Sequence, residues 1–220
     1  MKIAILGGTG REGSGLALRW GASGEEVIIG SRDAERAAAA AQRFNCLLSA
    51  ATIRGTSNEQ AAHEAEVAVL TVPCTAHQTV LVQVKEALRG KLLIDTTVAR
   101  DLRSGERLIS PHYDSALQEA QEVLGPNVKV VAAFQDIGFD LLKDVGRVID
   151  CDVLICGNDA EARRAAAQLV VKAGLRAIDA GSSRHAGTVE GLTVLLLDLK
   201  RRYRAKEIGI RITGLPEHMS

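Results

Sequence analysis

The stretch Ile5-Leu6-Gly7-Gly8-Thr9-Gly10-Arg11-Glu12-Gly13 decides how this chain is read. Before it, Lys2 to Leu6 is a short apolar run that predicts a strand; after it, Arg11 to Ala22 carries helical spacing. Gly8-x-Gly10-x-x-Gly13 set between a strand and a helix is the signature of a dinucleotide-binding turn. Gly8 permits the tight turn, Gly10 lets a pyrophosphate approach the backbone, and Gly13 lets the helix lie close on the sheet. The phosphates then meet free N–H groups at the positive end of the helix dipole.

The next strand, Glu26 to Ile29, ends in Gly30-Ser31-Arg32. A site for NAD usually places a carboxylate there to accept from the ribose 2′-hydroxyl. Here a hydroxyl and a guanidinium stand at the tip, with Arg36 one helical turn later. Arginine forks make bidentate bonds to phosphate, so Ser31, Arg32 and Arg36 point to a 2′-phosphate and hence to NADP. The competing reading makes both arginines a solvated helix start. Asp33 is expected to cap the helix Ala34 to Phe44.

Farther along, the same alternation continues. A short helix capped by Asn58 precedes the apolar strand Val67 to Val72, and helix 76–88 precedes strand Lys91 to Asp95. Uninterrupted Val/Ile/Leu strands between helices predict a doubly wound α/β fold with a parallel sheet buried on both faces. Residues 97–113 look like a long connection. A helix at 114–124, strand Val128 to Ala133, a short helix near 138–145 and strand Asp152 to Cys156 follow. Helix 160–173, strand Arg176 to Ile178 and a long helix from about 186 to 203 come next, and Gly209 to Ile212 is a possible last strand. We therefore expect a single domain over 1–220: a dinucleotide-binding Rossmann core over 1–134 and a small acceptor-side α/β lobe over 135–220.

Composition narrows the class. The chain has 220 residues, 27 basic and 27 acidic side chains, and six aromatics (one Trp, two Tyr, three Phe). Zero net charge lacks the basic footprint of a nucleic-acid binder, and so few aromatics offer little for base stacking. The start leaves no room for a signal peptide, and Leu192 to Leu197 is too short to span a bilayer. Cys46, Cys74, Cys151 and Cys156 share no metal-binding spacing, which predicts reduced thiols, no metal site and a cytoplasmic protein.

Several further stretches carry a resemblance. They are Val69-Leu70-Thr71-Val72-Pro73, Cys156-Gly157-Asn158-Asp159, Asp179-Ala180-Gly181, Val189-Glu190-Gly191-Leu192-Thr193 and Gly209 to Pro216. With the glycine turn and Gly30-Ser31-Arg32, these resemble the NADPH-dependent coenzyme F420 reductases over nearly the whole chain. The resemblance implies a homodimer that moves a hydride between nicotinamide C4 and deazaflavin C5, with NADP and coenzyme F420 as ligands. It implies that Thr9, Gly10, Arg11 and Glu12 hold the pyrophosphate. It assigns the 2′-phosphate to Ser31, Arg32 and Arg36, the adenosine-to-nicotinamide path to Val72, Ala76 and Val98, and the neighbourhood of the nicotinamide to Gly209.

The acceptor side departs from that family. In Phe134-Gln135-Asp136-Ile137-Gly138, Gln135 replaces a His that members commonly carry, while Ile137 keeps the apolar position. Both are expected to face the acceptor. Gly181 to Gly187 replaces a stretch that usually includes an Asn and an Arg.

Hydride transfer between two rings is mainly positioning, so no acid–base pair is required of the sequence. A carbonyl reductase would need a proton donor, and neither Tyr113 nor Tyr203 has a Tyr-x-x-x-Lys spacing. His77 and His185 remain candidate donors, with packing or surface roles the expectation for both. Lys200 to Lys206 either attracts an anionic substrate tail or complements the helix dipole. Leu192 to Leu199 is expected to be buried or dimer-facing. Two other functions fit the same motif: a non-catalytic NADP-binding redox sensor, and an NADPH reductase of a flavin or small carbonyl.

Overall fold

The computed structural model describes residues 1–49 and 52–215; Pro216, the end of one quoted motif, lies outside the described residues. Eight strands form one sheet: β1 (Lys2–Leu6), β2 (Glu26–Ser31), β3 (Ile53–Ser57), β4 (Val67–Leu70), β5 (Leu92–Asp95), β6 (Lys129–Ala132), β7 (Asp152–Gly157) and β8 (Arg176–Asp179). Their order is β3-β2-β1-β4-β5-β6-β7-β8. The helices are α1 (Arg11–Ala22), α2 (Ala34–Leu48), α3 (Asn58–Glu64), α4 (Cys74–Val84), α5 (Ala116–Leu124), α6 (Phe139–Lys143), α7 (Ala160–Lys172) and α8 (Ala186–Arg202).

Rossmann-like order places the switch between β1 and β4, the two strands that flank the glycine turn. Two apolar layers cover the sheet. One packs Leu16, Trp20, Phe44 and Leu169 on one face, and the other packs Leu81, Leu88, Leu117 and Leu124 on the opposite face.

The sheet is mixed, not wholly parallel as the apolar runs suggested. β6 and β7 pair antiparallel, Val131 opposite Gly157 and Ala132 opposite Cys156. A parallel return needs a crossover of a dozen or more residues, usually a full helix. Between β6 and β7 the chain offers only the five-residue α6 inside a long loop, and β7 comes back in the opposite direction.

Smaller expectations also change. Strand β3 had no period-two signal, because Ile53-Arg54-Gly55-Thr56-Ser57 has one apolar residue. It is an edge strand whose glycine lets α2 sit on it: a Cβ at Gly55 would lie 2.1 Å from the Ala37 carbonyl carbon. Ser57, not Asn58, caps α3, accepting from the Gln60 N–H. The predicted helix 76–88 begins at Cys74 and tightens into a 3-10 turn at Glu86–Leu88. Gly209 to Ile212 forms no strand. Its one backbone bond to β7 runs from the Asp152 N–H to the Ile210 carbonyl at 2.8 Å, and the Asp152 carboxylate takes the Ile212 N–H. Such single-sided contact lays the tail beside the sheet without extending the ladder.

Candidate active site

Two cavities open along the carboxyl ends of β1, β4, β5 and β6, where ligands of open α/β sheets bind. The first is a cleft of about 330 Å³ lined by the glycine turn (Gly7, Thr9, Gly10), the β2 tip (Ser31, Arg32, Arg36) and the β4–α4 turn (Val72, Pro73, Ala76). Gly7 has φ +79°, which a side chain resists. Gly13 is held by its neighbours: a Cβ there would sit 2.6 Å from Gly8 Cα and 2.7 Å from Thr71 Oγ1. Gly10 caps α1 and has no side chain to bond the first-turn N–H groups. Those donors remain for an anion.

The β2 tip is built for charge it does not itself supply. Asp33 accepts the Arg36 N–H at 3.0 Å, as a helix cap should. Ser31 is buried, with its hydroxyl oxygen accepting from the Asp33 N–H at 3.2 Å. Among the described residues, neither the Arg32 nor the Arg36 guanidinium has a carboxylate partner. Two exposed guanidiniums without partners beside a helix N-terminus fit the phosphates of a dinucleotide. Asn58, which sequence pattern assigned only to a helix cap, closes the back of the cleft. Its Oδ1 accepts the Gly7 N–H at 3.2 Å.

The second cavity, of about 170 Å³, is mostly apolar. Val98, Phe134, Ile137, Leu141 and Leu196 form its walls, with Gln135, Thr96 and Glu12 among the polar groups that line it. Gln135 and Ile137 therefore lie together, and Val98 lies with them rather than in the first cleft. Glu12 also lines this cavity, although it stands two residues from Gly10 of the cleft. Gly209 reaches neither: a Cβ on it would collide with Cys151 Sγ, while its neighbour Ile208 lines the apolar cavity. Arg11 is exposed and places its guanidinium 4.7 Å from the centre of the Phe139 ring, a cation–π contact at the cavity rim.

The loop after β6 is strained into place. Phe134 is buried with φ +73°, a left-handed conformation costing about 1–3 kcal/mol in a residue with a Cβ. Its ring meets Trp20 edge-on at 5.9 Å, and Trp20 donates its indole N–H to the Leu169 carbonyl at 2.8 Å. These contacts hold the turn that presents Gln135. The Gln135 amide donates to the Asp95 carbonyl at 2.9 Å, its own carbonyl accepts from Thr193, and its Oε1 is buried without a partner. An orphaned acceptor inside an apolar cavity fits a ligand that brings an N–H or O–H.

Comparison with known proteins places the chain in a family. A sequence profile described as "NADP oxidoreductase coenzyme F420-dependent" matches residues 2–99. An F420-dependent NADP reductase of Methanothermobacter marburgensis is 46% identical over 99% of this chain and 100% of its own length. One of Methanocaldococcus jannaschii is 40% identical over 98% and 99%. A crystal structure from Arthrobacter sp. FB24 superposes with TM-score 0.80 at 28% identity, covering 96% of this chain and 99% of its own. The chain belongs to the F420-dependent NADP reductase family.

Within this family member, the partners of one residue named from the sequence could not be read there. His77 is fully buried, its Nε2 2.7 Å from Asp95 Oδ2 and its Nδ1 2.7 Å from Glu119 Oε2. Burial lowers its proton affinity, but the two carboxylates outweigh that and raise it to about 9. The imidazolium ties α4 to β5 and α5. Asp95 also accepts the Thr97 N–H at 2.9 Å. The residues come from three separate segments, so no spacing could have revealed them. His185 is half-buried and accepts from Arg184, in keeping with a surface role. No cluster able to hold a metal ion occurs among the described residues, whose four cysteines are all free thiols.

Proposed function

We propose that this protein transfers a hydride between NADPH and the deazaflavin ring of coenzyme F420, with NADPH in the glycine-turn cleft and the deazaflavin in the apolar cavity. The carrying observation is the pair of unpartnered guanidiniums, Arg32 and Arg36, at the tip of β2. A 2′-phosphate is the ligand whose charge and geometry they match. Thr9, Gly10 and the first N–H groups of α1 hold the pyrophosphate in this reading, and Gly8 and Gly13 shape the turn. Val72 and Ala76 pack against the adenosine half; Val98, Gln135 and Ile137 face the acceptor.

Residues 1–134 then supply most of the nucleotide site, while 135–220 close the acceptor side, with Glu12, Thr96 and Val98 reaching across. Hydride transfer asks the protein to hold two carbons at near-attack distance and to exclude water. The apolar walls provide the second condition. Lys200 lines the cavity, and Arg202, Arg204 and Lys206 follow it without carboxylate partners among the described residues. They suit a polyanionic tail extending from the ring. A homodimer through the leucine-rich face of α8, in the cytoplasm, completes the reading.

Anaerobic mixing with NADPH and F420 tests it. The deazaflavin absorbance is expected to bleach with saturable dependence on both ligands. NADPH oxidation by flavins or small carbonyls without F420 bleaching favours another reductase, and NADPH binding with no turnover favours a sensor.

A further inference from the structure

The family resemblance placed Glu12 on the pyrophosphate, but the structure turns its carboxyl away from the cleft and into the acceptor cavity. There its Oε1 is enclosed and has no hydrogen-bond partner. No Lys, Arg or His forms an ion pair with it among the described residues. We propose that the Glu12 carboxyl is the acid that supplies a proton to the acceptor as the hydride arrives.

The proposal rests on hydride transfer in this cavity, as read above. Hydride donation breaks a C–H bond of NADPH, leaves NADP⁺, and forms a C–H bond on the acceptor, which is reduced by two electrons. The electron pair displaced onto a ring nitrogen or oxygen takes the Glu12 proton. Glu12 is left as a carboxylate and recovers its proton from water. Charge and atoms then balance: NADPH, acceptor and one proton give NADP⁺ and the reduced acceptor.

Of the other polar groups in the cavity wall, Gln135 Oε1 is an acceptor without a proton to give and the Asp136 carboxyl oxygens lack partners as well, while the hydroxyls are engaged. The Thr96 hydroxyl donates to the Leu70 carbonyl at 2.9 Å and that of Thr193 to the Gln135 carbonyl at 2.8 Å. Glu207 is paired with Arg147, and Asp140 is exposed. Asp136 is buried too, but its carboxyl lies toward Leu154 and Asp152 on β7. Lys200 supplies positive charge from half-exposed α8.

Burial is the main reason the Glu12 carboxyl stays neutral, raised to about 8, and the nearby Asp95 adds to the rise. The His77–Glu119 pair stands behind Asp95, and Arg11 next door is occupied over the Phe139 ring. A neutral carboxyl at pH 7 inside a water-excluding cavity is positioned to act as a general acid.

The test has two arms, each run on the full chain. In the ligand-free protein, infrared difference spectra should show a neutral-carboxyl band that titrates near pH 8 and is missing in Glu12→Gln. An unchanged band in that variant overturns the proposal. In single-turnover F420 reduction, Glu12→Gln should lower the rate by about 100-fold and remove its fall above pH 8. Asp136→Asn should keep that alkaline limb whatever its rate. A Glu12→Gln enzyme with wild-type rate and pH profile overturns the acid role alone. A wild-type protein that fails to reduce F420 overturns the reading of function, and the acid role falls with it.

Discussion

At the residue scale, the proposed preference for NADPH rests on the Ser31-Arg32 tip of β2 and the glycines behind it. Arg32 has no ion-pair partner among the described residues, so its loss should be felt only when a 2′-phosphate is present. Charge-assisted bonds contribute about 1.5–3 kcal/mol, so Arg32→Ala should weaken NADPH binding by about 10- to 100-fold. NADH binding should hardly change. Titration of both nucleotides by fluorescence checks this, and equal losses would contradict the 2′-phosphate site. Gly13→Ala is the complementary case, since its Cβ meets backbone at 2.6 Å. Overpacking of this kind costs about 1–3 kcal/mol, and urea midpoints should report it together with lost NADPH affinity.

The residues that line the cleft were legible because they fall in short local stretches. A glycine turn and a strand tip each lie within one short stretch. Glu12 was not, because both cavities border the first turn of α1 and spacing cannot tell which way a side chain turns. Gln135 and Ile137, which line one cavity, were singled out only through resemblance.

At the element scale, buried cations join segments that the sheet alone does not. Arg19 of α1 is buried and donates to five carbonyls. Nε reaches Leu142 at 3.0 Å, Nη1 reaches Ala173 at 2.9 Å, and Nη2 reaches Leu141, Asp144 and Arg147 at 3.3, 2.7 and 3.1 Å. It thereby closes the end of α6, whose Phe139 and Leu141 wall the acceptor cavity. Arg19→Met leaves these carbonyls unsatisfied, and a buried acceptor left without its partner costs about 1–3 kcal/mol. Denaturant melts should show the loss. The surviving folded enzyme should show a raised KM for the acceptor more than for NADPH.

The sequence reading recovered the elements with long apolar runs, β1, β2, β4, β5 and α8 among them. It missed β3, whose stability comes from pairing with β2 and from α2 resting on Gly55, and it missed the antiparallel β6–β7 pairing. Both depend on tertiary contacts and on the length of a connection, neither of which hydrophobic period records.

At the scale of the whole molecule, Glu12, Asp136, Glu190 and His77 hold their protons more tightly than in the unfolded chain. Burial raises Glu12 to about 8, and Asp136 and Glu190 to about 7. His77 rises to about 9 because its carboxylate partners outweigh burial. For His77 the stabilisation is complete below pH ~6.5 and is lost as pH climbs through about 9. The three acids act in the same direction, since the folded state keeps protons that the unfolded state releases. Stability should therefore fall as pH rises from about 5 to 9. His77→Gln should flatten the part of that decline above pH 6.5, as urea midpoints across pH would reveal.

The exposed side of α8 bears on assembly. Leu195 is 52% exposed, and half-buried Leu192 and Leu199 share the helix. If that face joins two copies, Leu195→Glu should shift sedimentation from dimer to monomer. A wild-type monomer would contradict the assembly reading.

The central claim is direct hydride transfer between ligands held in two neighbouring cavities. Supplying NADPH deuterated at both C4 positions together with F420, and analysing the products by mass spectrometry, tests it most directly. The account predicts one deuterium carried from nicotinamide to the reduced deazaflavin. Reduction of F420 with the label lost to water, or no reduction at all, would contradict it.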